Sequence, residues 1–425
     1  MNEASLDSEI KKGTIQLGRG NIISSIDIER NPGSYPIYSS SAKGSGEFGH
    51  YAEYMFNEEM VTWSIDGGGR FFYRPKHKFS VTNVSGFMRV DNSVWDIRFA
   101  YYCLDLQHRN IAFDYQSKAH PSIIRHQYKL PCFPKASQEK IAAILSTVDK
   151  AIEQTAAIIA KQQRIKTGLM QDLLTGGIDE HGNIRSEKTH AFKDSPLGRI
   201  PAEWSVKHLH ELASHVVDCP HTTPRFIPSG HLVARTLNIK EGQFIGEESY
   251  VSEREFKDRS ARLAPIPGDV IFTREAPIGE AFLIPVDMQV CLGQRTMLIR
   301  FLSDRCDPRY FVNAVYSQDT KIRFDQMTGG TTNPHLNVQD IRSFTIKTPE
   351  IEEQRRIAVA LATVQNSLIY SERQKHKFNQ LKTALMQDLL TGKVRVTPLL
   401  GSEPRAVAAL PYLPHCPPNE HHDRC

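Results

Sequence analysis

The sequence predicts an α+β chain with a pseudo-twofold tandem repeat: two β-rich domains with short helices, separated by two long helices that form a coiled coil. Three observations support this. A ten-residue phrase, TGLMQDLLTG at Thr167–Gly176, recurs with one change as TALMQDLLTG at Thr383–Gly392. Each phrase ends a long stretch with helical apolar spacing. Each stretch follows a region of short strand-like segments broken by Pro and Gly.

These observations divide the chain into five segments. The expected organisation is a first β-rich domain at 1–137, a central helix at 138–176, a second β-rich domain at 177–353, a C-terminal helix at 354–392, and a loosely ordered tail at 393–425. The tail is rich in Pro and polar residues and lacks periodicity, which is typical of segments without a packed core.

The first β-rich domain contains strand-like pieces such as YPIYSS, EMVTWSI and RFFYR, interrupted by NPGS and DGGGR. The second contains GHLVART, GDVIFTRE and TMLIRF, also separated by Pro and Gly clusters. Alternating β-branched and aromatic residues between such turn signals indicate strands. Neither region shows long helical periodicity, so both are predicted to be mainly β with a few short helices.

The two helices share more than the quoted phrase. Aligning 138–176 with 354–392 without a gap gives 17 identical pairs among 39. Apolar residues recur every three or four positions from Ile141 to Leu173, and again from Ile357 to Leu389. Gly176 and Gly392 are expected to cap the helices in the left-handed conformation. Each helix would be about 58 Å long, and the two apolar seams would bury each other as a coiled coil.

Composition excludes few function classes. Hydrophobic residues make up 40% and charged residues 24%, as in ordinary globular proteins. A net charge of +4 and a pI near 8.5 permit contact with a polyanion without requiring it. The seven scattered cysteines include no CxxC pair and are expected to be free thiols. No apolar run could cross a bilayer, so we expect a cytoplasmic chain without membrane contact.

Recognisable catalytic motifs are missing from the sequence. GSGEFG at Gly44–Gly49 matches GxGxxG, but no parallel βαβ series surrounds it, and a loop is the preferred interpretation. There is no GxxxxGK[ST] phosphate loop, no HExxH zinc motif, and no Asn- or Asp-Pro-Pro-aromatic tetrapeptide of base methyltransferases. The sequence therefore predicts no catalytic residues and no metal site.

Several loops combine hydroxyl, amide and cationic side chains. Such donors suit phosphate positioning and hydrogen bonding to base edges, with Arg favouring guanine and Asn or Gln favouring adenine. Polar loops are also common without any ligand, which is the alternative interpretation. The DNA-binding candidates from these loops are Ser40, Lys43, Arg70, Lys118, His120, His221, Thr222, Arg225, Arg274, Gln294, Arg295, Thr331, Asn333 and His335.

The combination of features resembles the DNA-specificity subunit of type I restriction-modification enzymes. The resemblance rests on the tandem of domain and helix, on GRIPAEW at Gly198–Trp204, on a Pro followed by a Glu- or Gln-rich start of each helix, and on LMQDLLTG at each helix end. It covers nearly the whole chain. It implies that each β-rich domain is a target-recognition domain reading one half of a bipartite site in double-stranded DNA, and that the helices pack antiparallel as a spacer.

The resemblance also implies partners and cofactors. Two methylation subunits would dock on the helices, and motor-nuclease subunits would join the full complex. The chain itself would be non-catalytic and bind no cofactor, whereas S-adenosylmethionine, ATP and Mg²⁺ would be bound by partner subunits. The residues expected to serve as docking or coiled-coil contacts are Leu169, Met170, Leu173, Leu385, Met386 and Leu389.

Two other function classes compete with this interpretation. One is a coiled-coil scaffold that binds proteins without nucleic acid, and the other is an enzyme that acts alone. Steep salt dependence of DNA binding would argue against the scaffold, and turnover by the purified chain would favour the enzyme. The first domain also departs from the family pattern, because it lacks the Pro and Trp that open the second. The resemblance therefore implies a shortened outer edge there.

Overall fold

The computed structural model describes residues 2–40, 44–66, 68–111, 113, 118–328 and 335–400. The chain forms two compact units. The first unit contains the described residues up to Thr155 together with those from Gln374 onward, and the second runs from Ala156 to Arg373. The divisions fall inside the two long helices. Each unit therefore holds one β-rich domain and one end of each helix.

The first domain alternates short helices with strands and ends in the first long helix. In chain order its elements are β1 (Glu3–Ser5), α1 (Leu6–Lys11), β2 (Ile15–Arg19), α2 (Ser25–Arg30), β3 (Tyr35–Tyr38), β4 (Glu47–Tyr51), β5 (Phe56–Ser64), β6 (Phe71–Val81), β7 (Ser85–Val90), α3 (Ile97–His108), α4 (Pro121–Gln127), β8 (Lys129–Pro131) and α5 (Lys135–Thr175).

Six of these strands form one sheet in the order β2-β7-β5-β6-β3-β4, antiparallel except for the β3 and β6 pair. Strands β1 and β8 form a separate antiparallel pair. The largest buried side chains, Trp63, Phe71 and Phe99, join sheet and helix α3 in a core that also contains Leu145 of α5. Aromatic burial of this kind is the main stabilising term of such a domain.

The second domain has smaller sheets. Its elements are β9 (Phe192–Lys193), β10 (Ile200–Pro201), β11 (Ser205–His208), α6 (Leu209–Leu212), β12 (Ala213–Asp218), β13 (His231–Ala234), β14 (Ile239–Lys240), β15 (Gln243–Phe244), β16 (Tyr250–Val251), α7 (Glu253–Ser260), β17 (Val270–Arg274), β18 (Ile278–Leu283), β19 (Val290–Leu292), β20 (Thr296–Phe301), α8 (Pro308–Val315), α9 (Gln318–Thr328), α10 (Val338–Ser343), β21 (Thr345–Thr348) and the start of α11 (Ile351–Leu390).

The main sheet of the second domain is antiparallel, with the order β12-β20-β17-β18. The second domain also has a three-stranded sheet, β16-β13-β19, and three antiparallel pairs, β9 with β10, β14 with β15 and β11 with β21. Phe272, Met297 and Phe311 lie in the core between the main sheet and helix α8. Both domains are thus mixed α and β, as the sequence predicts.

The long helices run antiparallel. In the first unit, Ile141 and Leu145 near the start of α5 share a core with Met386 and Leu389 near the end of α11. In the second unit, the end of α5 meets the start of α11, where Leu173 and Leu174 pack with Ile357, Ala358 and Leu361. The ends of the apolar seams are therefore buried, whereas Ile165 and Leu381, at equivalent positions nearer the middle, are exposed. The coiled coil and its antiparallel direction are confirmed.

The two helix ends differ in their caps. Gly392 adopts the left-handed conformation with φ of 68°, as expected. At the end of α5, however, the left-handed residue is Gly177 with φ of 69°, and the prediction of Gly176 was wrong by one position. A Cβ on Gly177 would collide with the Glu353 carboxylate and the Trp204 ring. Glycine is thus required there by close packing as well as by backbone conformation.

Equivalent glutamines fix the start of each long helix to its own domain. The amide oxygen of Gln138 accepts from the backbone N–H of Asp96 at 2.9 Å, and its nitrogen donates to the carbonyls of Val94 and Phe133. Gln354 repeats the arrangement with the N–H of Asp307 at 3.0 Å and the carbonyls of Arg305 and Pro349. Asp96 and Asp307 in turn cap helices α3 and α8. The repeated glutamine is therefore structural.

The described part of the expected tail begins against the first domain. Val396 is buried in the first unit's core, and a short 3-10 helix follows at Thr397–Leu399. The rest of that tail, 401–425, lies outside the described residues. Of the cysteines, the five in the described ranges are free thiols, whereas Cys416 and Cys425 lie outside them. In the same ranges, no helix is long and apolar enough to cross a membrane, and no cluster of His, Cys, Asp or Glu could hold a metal ion.

Candidate nucleic-acid interface

In the second domain, several of the loop residues singled out from the sequence meet at the end of strand β17. The backbone N–H of Arg274 donates to the carbonyl of Arg295 at 3.1 Å, and Leu336 N–H donates to the carbonyl of Arg274 at 3.0 Å. Glu275 and His335 form an isolated β-bridge beside them. Three segments distant in sequence thus meet at the end of one strand, which we call the β17 junction (residues 274–275, 294–295 and 335–336).

An acidic side chain holds the basic ones of this junction in place. The two carboxylate oxygens of Asp218 lie 3.3 Å from Arg274 Nε and 3.1 Å from His221 Nε2. The side chains of Asp218 and Arg274 are largely buried, at 10% and 13% exposed, whereas that of His221 is 63% exposed. Neither Arg274 Nε nor the Asp218 oxygen nearest to it has a hydrogen-bond partner among the described residues, so this contact is an ion pair, and burial reduces its screening by solvent. The guanidinium of Arg274 also donates to the Leu336 carbonyl at 3.4 Å and lies 3.3 Å from His221 Nδ1.

Backbone conformation sets the position of Arg295. Its φ is 68°, in the left-handed region that a residue with a Cβ rarely adopts. Nε of Arg295 lies 3.4 Å from the Glu275 carboxylate, and the side chain is 47% exposed. Left-handed residues other than glycine cost about 1–3 kcal/mol and concentrate at functional sites. Arg295 is thus more accessible to a ligand than Arg274, whose side chain is 13% exposed.

Hydrogen bonds from Arg259 and Gln294 hold the adjoining loop 219–225 in position. Buried Arg259 of α7 donates to the carbonyls of Thr222 and Leu292 at 2.7 and 3.1 Å. The side-chain nitrogen of Gln294 donates to the carbonyl of His221 at 3.2 Å. Arg225 is exposed at the end of the same loop. The loop is thereby held beside the β17 junction with its polar side chains outward.

The first domain has an equivalent junction at the end of β5. Ala119 N–H donates to the carbonyl of Ile65 at 3.0 Å, and Trp63 Nε1 donates to the Ala119 carbonyl at 2.7 Å. Lys118 Nζ lies 3.0 Å from the Asp66 carboxylate. Ser64 donates to the carbonyl of Ser40 at 2.6 Å. Together 64–66, Ser40 and 118–119 form the β5 junction.

The remaining candidates of the first domain lie close by in sequence. Exposed Arg70 follows the turn after Asp66, and its guanidinium carbon is 5.0 Å from the Phe72 ring centre. His120 caps helix α4 by accepting from Ser122 N–H at 3.3 Å. Lys43 in this domain, and Thr331 and Asn333 in the second, lie outside the described residues.

The two junctions share one construction. In each, the residue that ends or follows a central strand, Ile65 or Arg274, accepts a backbone hydrogen bond from the segment leading into a short helix, α4 or α10. Each also contains a pair of opposite charges, Asp66 with Lys118 in one and Glu275 with Arg295 in the other. The two domains therefore present differing side chains on the same backbone frame.

Sequence reasoning missed the acids of these junctions. Asp218, Glu275 and Asp66 were not among the predicted DNA-binding residues, because those residues were taken from loops that combine hydroxyl, amide and cationic side chains. Their role here is to orient cations, which depends on contacts across the fold. The only sequence signal is weak, since Asp66 and Glu275 each directly follow a strand-like segment.

The six helix residues lie inside the packing of each unit. Leu173, Met386 and Leu389 are at most 5% exposed, and Leu169, Met170 and Leu385 are partly buried against the same cores. Exposed positions of the repeated phrase are Gln171 and Thr175 on α5, Gln387 on α11, and Thr391 just after α11.

Comparison with known proteins agrees with this architecture. The model of the type I restriction modification DNA specificity domain matches residues 12–162 and 203–381. The MjaVIII type I restriction enzyme specificity subunit of Methanocaldococcus jannaschii is 25% identical over 348 residues, covering 80% of each chain. A putative type I specificity subunit N-terminus of Mycoplasma pneumoniae is 35% identical over 141 residues, covering 32% of this chain and 74% of that one.

A solved structure shows the same fold. The crystal structure of the type I restriction-modification S subunit from M. genitalium aligns with a TM-score of 0.64 at 14% identity, over 91% of this chain and 95% of that one. The family model matches one stretch in each half of the chain, each spanning most of a β-rich domain and much of a long helix. The protein therefore belongs to the type I restriction-modification DNA specificity family, whose members are non-catalytic specificity subunits.

Proposed function

We propose that each β-rich domain reads one half of a bipartite DNA site through its junction, the β5 junction in the first domain and the β17 junction in the second. The observation that supports this most is the repeated frame with different side chains. A common frame suits docking on the regular DNA backbone, and differing side chains suit different base sequences. Arg295, Gln294 and His221 supply base-edge donors in the second domain, and Lys118 and Arg70 supply cations in the first.

The long helices would set the gap between the half-sites. Helix α5 has 41 residues and α11 has 40, so each spans about 60 Å. That length is enough to separate two readers by one to two turns of DNA at about 34 Å each.

The helices would also dock two methylation subunits. Buried identity between the repeats is explained by packing, and Thr175 and Thr391 each donate to a helix carbonyl, of Gln171 and Gln387 respectively. The exposed side chains of Gln171 and Gln387 have no such explanation. Two copies of one partner need two equivalent surfaces, and these positions supply them. S-adenosylmethionine, ATP and Mg²⁺ would be bound by the methylation and motor-nuclease subunits, because this chain contributes recognition and assembly.

DNA binding by the assembled complex tests the proposal against a scaffold without nucleic acid. The chain co-purified with its methylation subunit is titrated onto duplex DNA at 50 to 200 mM salt. Contacts to six to ten phosphates would lower the affinity by about 10³–10⁵ over this range. A complex that assembles but does not bind duplex DNA at the lowest salt would contradict the proposal and support the scaffold.

A further inference from the structure

A cleft in the second unit has no role in the proposed DNA contacts. It lies between the second half of α5, the first half of α11 and helices α8 and α9, with a volume of about 830 Å³. Lys166, Lys321 and Lys347 line it, together with apolar walls from Met170, Leu174 and Leu368. Within the described part of the chain, none of these three lysines forms an ion pair.

In the first unit, the equivalent lysine has a partner within the chain. Lys382, the repeat counterpart of Lys166, lies 2.7 Å from the Asp149 carboxylate of α5. The Tyr102 hydroxyl donates to the same carboxylate at 2.6 Å, and the Lys382 ammonium lies 5.5 Å from the Tyr102 ring centre. The lysine of the first unit is therefore paired and covered.

Two residues that surround Lys382 in the first unit differ at the equivalent positions of the second unit. At the repeat spacing of the helices, Asp149 corresponds to Gln365, which is neutral. Counting from the capping aspartates Asp96 and Asp307, Tyr102 corresponds to Asn313, which is smaller. The side-chain oxygen of Gln365 is buried without a hydrogen-bond partner. The second unit therefore has the equivalent lysine, Lys166, without an equivalent of the Asp149 carboxylate or of the Tyr102 ring.

The remaining charges do not replace that carboxylate. Burial lowers the pKa of Lys166; Glu241, the next largest influence, and Glu372 raise it, and Lys321 lowers it. Asp319 on the cleft wall lies 3.5 Å from Arg323, and Arg309 is paired with Asp307. The lining as a whole has more cations than carboxylates. An unpaired, partly buried ammonium favours an incoming anion.

We propose that this cleft receives an acidic segment of a methylation subunit, with one carboxylate taking the place opposite Lys166 that Asp149 holds opposite Lys382. The inference rests on the proposed function, because it needs that partner. Charge complementarity and the apolar walls fit a carboxylate beside an apolar side chain. Gln163, Thr167 and Gln171 join the cleft to the exposed face of the repeated phrase. The two docking sites therefore differ in the lysine that they offer: Lys166 forms no ion pair within the described residues, whereas Lys382 is paired with Asp149.

Native mass spectrometry of the complex with the methylation subunit tests the proposal across a salt series. Wild type and the exposed-lysine control Lys188→Glu should retain two methylation subunits. Lys166→Glu should retain one, with the second copy weakened at least tenfold, and Lys166→Arg should restore two. Wild-type occupancy and salt dependence in Lys166→Glu would overturn the proposal. A wild-type chain that binds no methylation subunit would instead overturn the proposed function.

Carbodiimide coupling of the same complex identifies the group that faces Lys166. We expect an amide between Lys166 and an Asp or Glu of the methylation subunit. Coupling only to Glu241 or Glu372 would contradict the proposal. A second outcome would also contradict it: inorganic phosphate alone protects Lys166 from acetylation, and Lys166→Glu still binds the partner as wild type does. That result would indicate a site for small anions.

Discussion

At the scale of single residues, acids determine what the cations of the junctions can do. Asp218 restrains Arg274 in a mostly buried position, while Arg295 is half-exposed beside Glu275. Desolvated pairs hold their geometry, whereas exposed cations exchange partners at little cost. We therefore propose Arg295 rather than Arg274 as the residue of this pair that contacts a base, with Arg274 supporting the junction.

Replacing Arg295 by Ala should weaken recognition of one half-site only. A good bidentate contact to guanine accounts for about 1–3 kcal/mol, so we expect roughly a 5- to 150-fold loss of affinity for the preferred sequence. The measurement is competition binding of the complex to duplexes that vary in a single half-site. Arg254→Ala removes an equally charged, exposed side chain of α7 and is the control. Equal losses in the two variants would show that Arg295 contributes only charge.

Gln354 offers a test of the structural half of the repeat. Gln354→Ala leaves the N–H of Asp307 and two carbonyls without their partners, which should cost about 1–3 kcal/mol. Hydrogen exchange should then increase in α8 and at the start of α11. Exposed Gln380 is the control, because its replacement by Ala should change stability by less than about 0.5 kcal/mol. Unchanged hydrogen-exchange protection of α8 would show that Gln354 does not stabilise the contact between α11 and its domain.

At the scale of elements, the long helices were the most predictable part of the chain. Their apolar spacing is a local feature, and the sequence repeat located both helices. The left-handed residue after α5, however, is Gly177 rather than Gly176. Strand-like segments were also visible, but the sheet order β2-β7-β5-β6-β3-β4 was not. Strand pairing joins distant residues such as Ile37 and Ser80, and no local pattern specifies such a partner.

The candidate site was predictable to a similar extent. Loop composition identified Arg295, His221 and Gln294, because donors in loops are a local feature. Composition could not reveal that Arg274 is restrained by Asp218, since 56 positions separate them. The basic cleft was also missed. The cleft depends on the difference between Asp149 and Gln365 at equivalent helix positions, whereas the sequence predictions for the helices rested on positions at which the two repeats are identical.

The proposed spacer role predicts the effect of lengthening both helices. Four residues inserted after Ala157 in α5 and after Arg373 in α11 add about one turn, or 6 Å, at matched positions. The gap in the DNA site should lengthen by about one to two base pairs while both half-sites stay unchanged. The measurement is selection of bound duplexes from a random library. A four-residue insertion after Gly182, in an exposed turn, should leave the gap as it was. An unchanged gap after the helix insertions would contradict the spacer role.

At the scale of the whole molecule, the two halves of the chain share backbone arrangements but carry different side chains on them. Gln138 and Gln354 repeat the same hydrogen bonds, and the two junctions repeat the same backbone frame. The differences include the sheets of the two domains, the side chains of the β5 and β17 junctions, and the surroundings of Lys166 and Lys382. Repetition therefore suits paired partners, and divergence suits an asymmetric DNA site.

Sequencing of N6-methyladenine tests the central claim most directly. The chain is co-expressed with its methylation subunit in a host that lacks adenine methylation, and the genomic DNA is mapped. We predict one two-part motif with a fixed gap, whose halves differ in sequence because the junctions differ. A complex that assembles but leaves no such motif, or a motif with a single continuous core, would contradict the account.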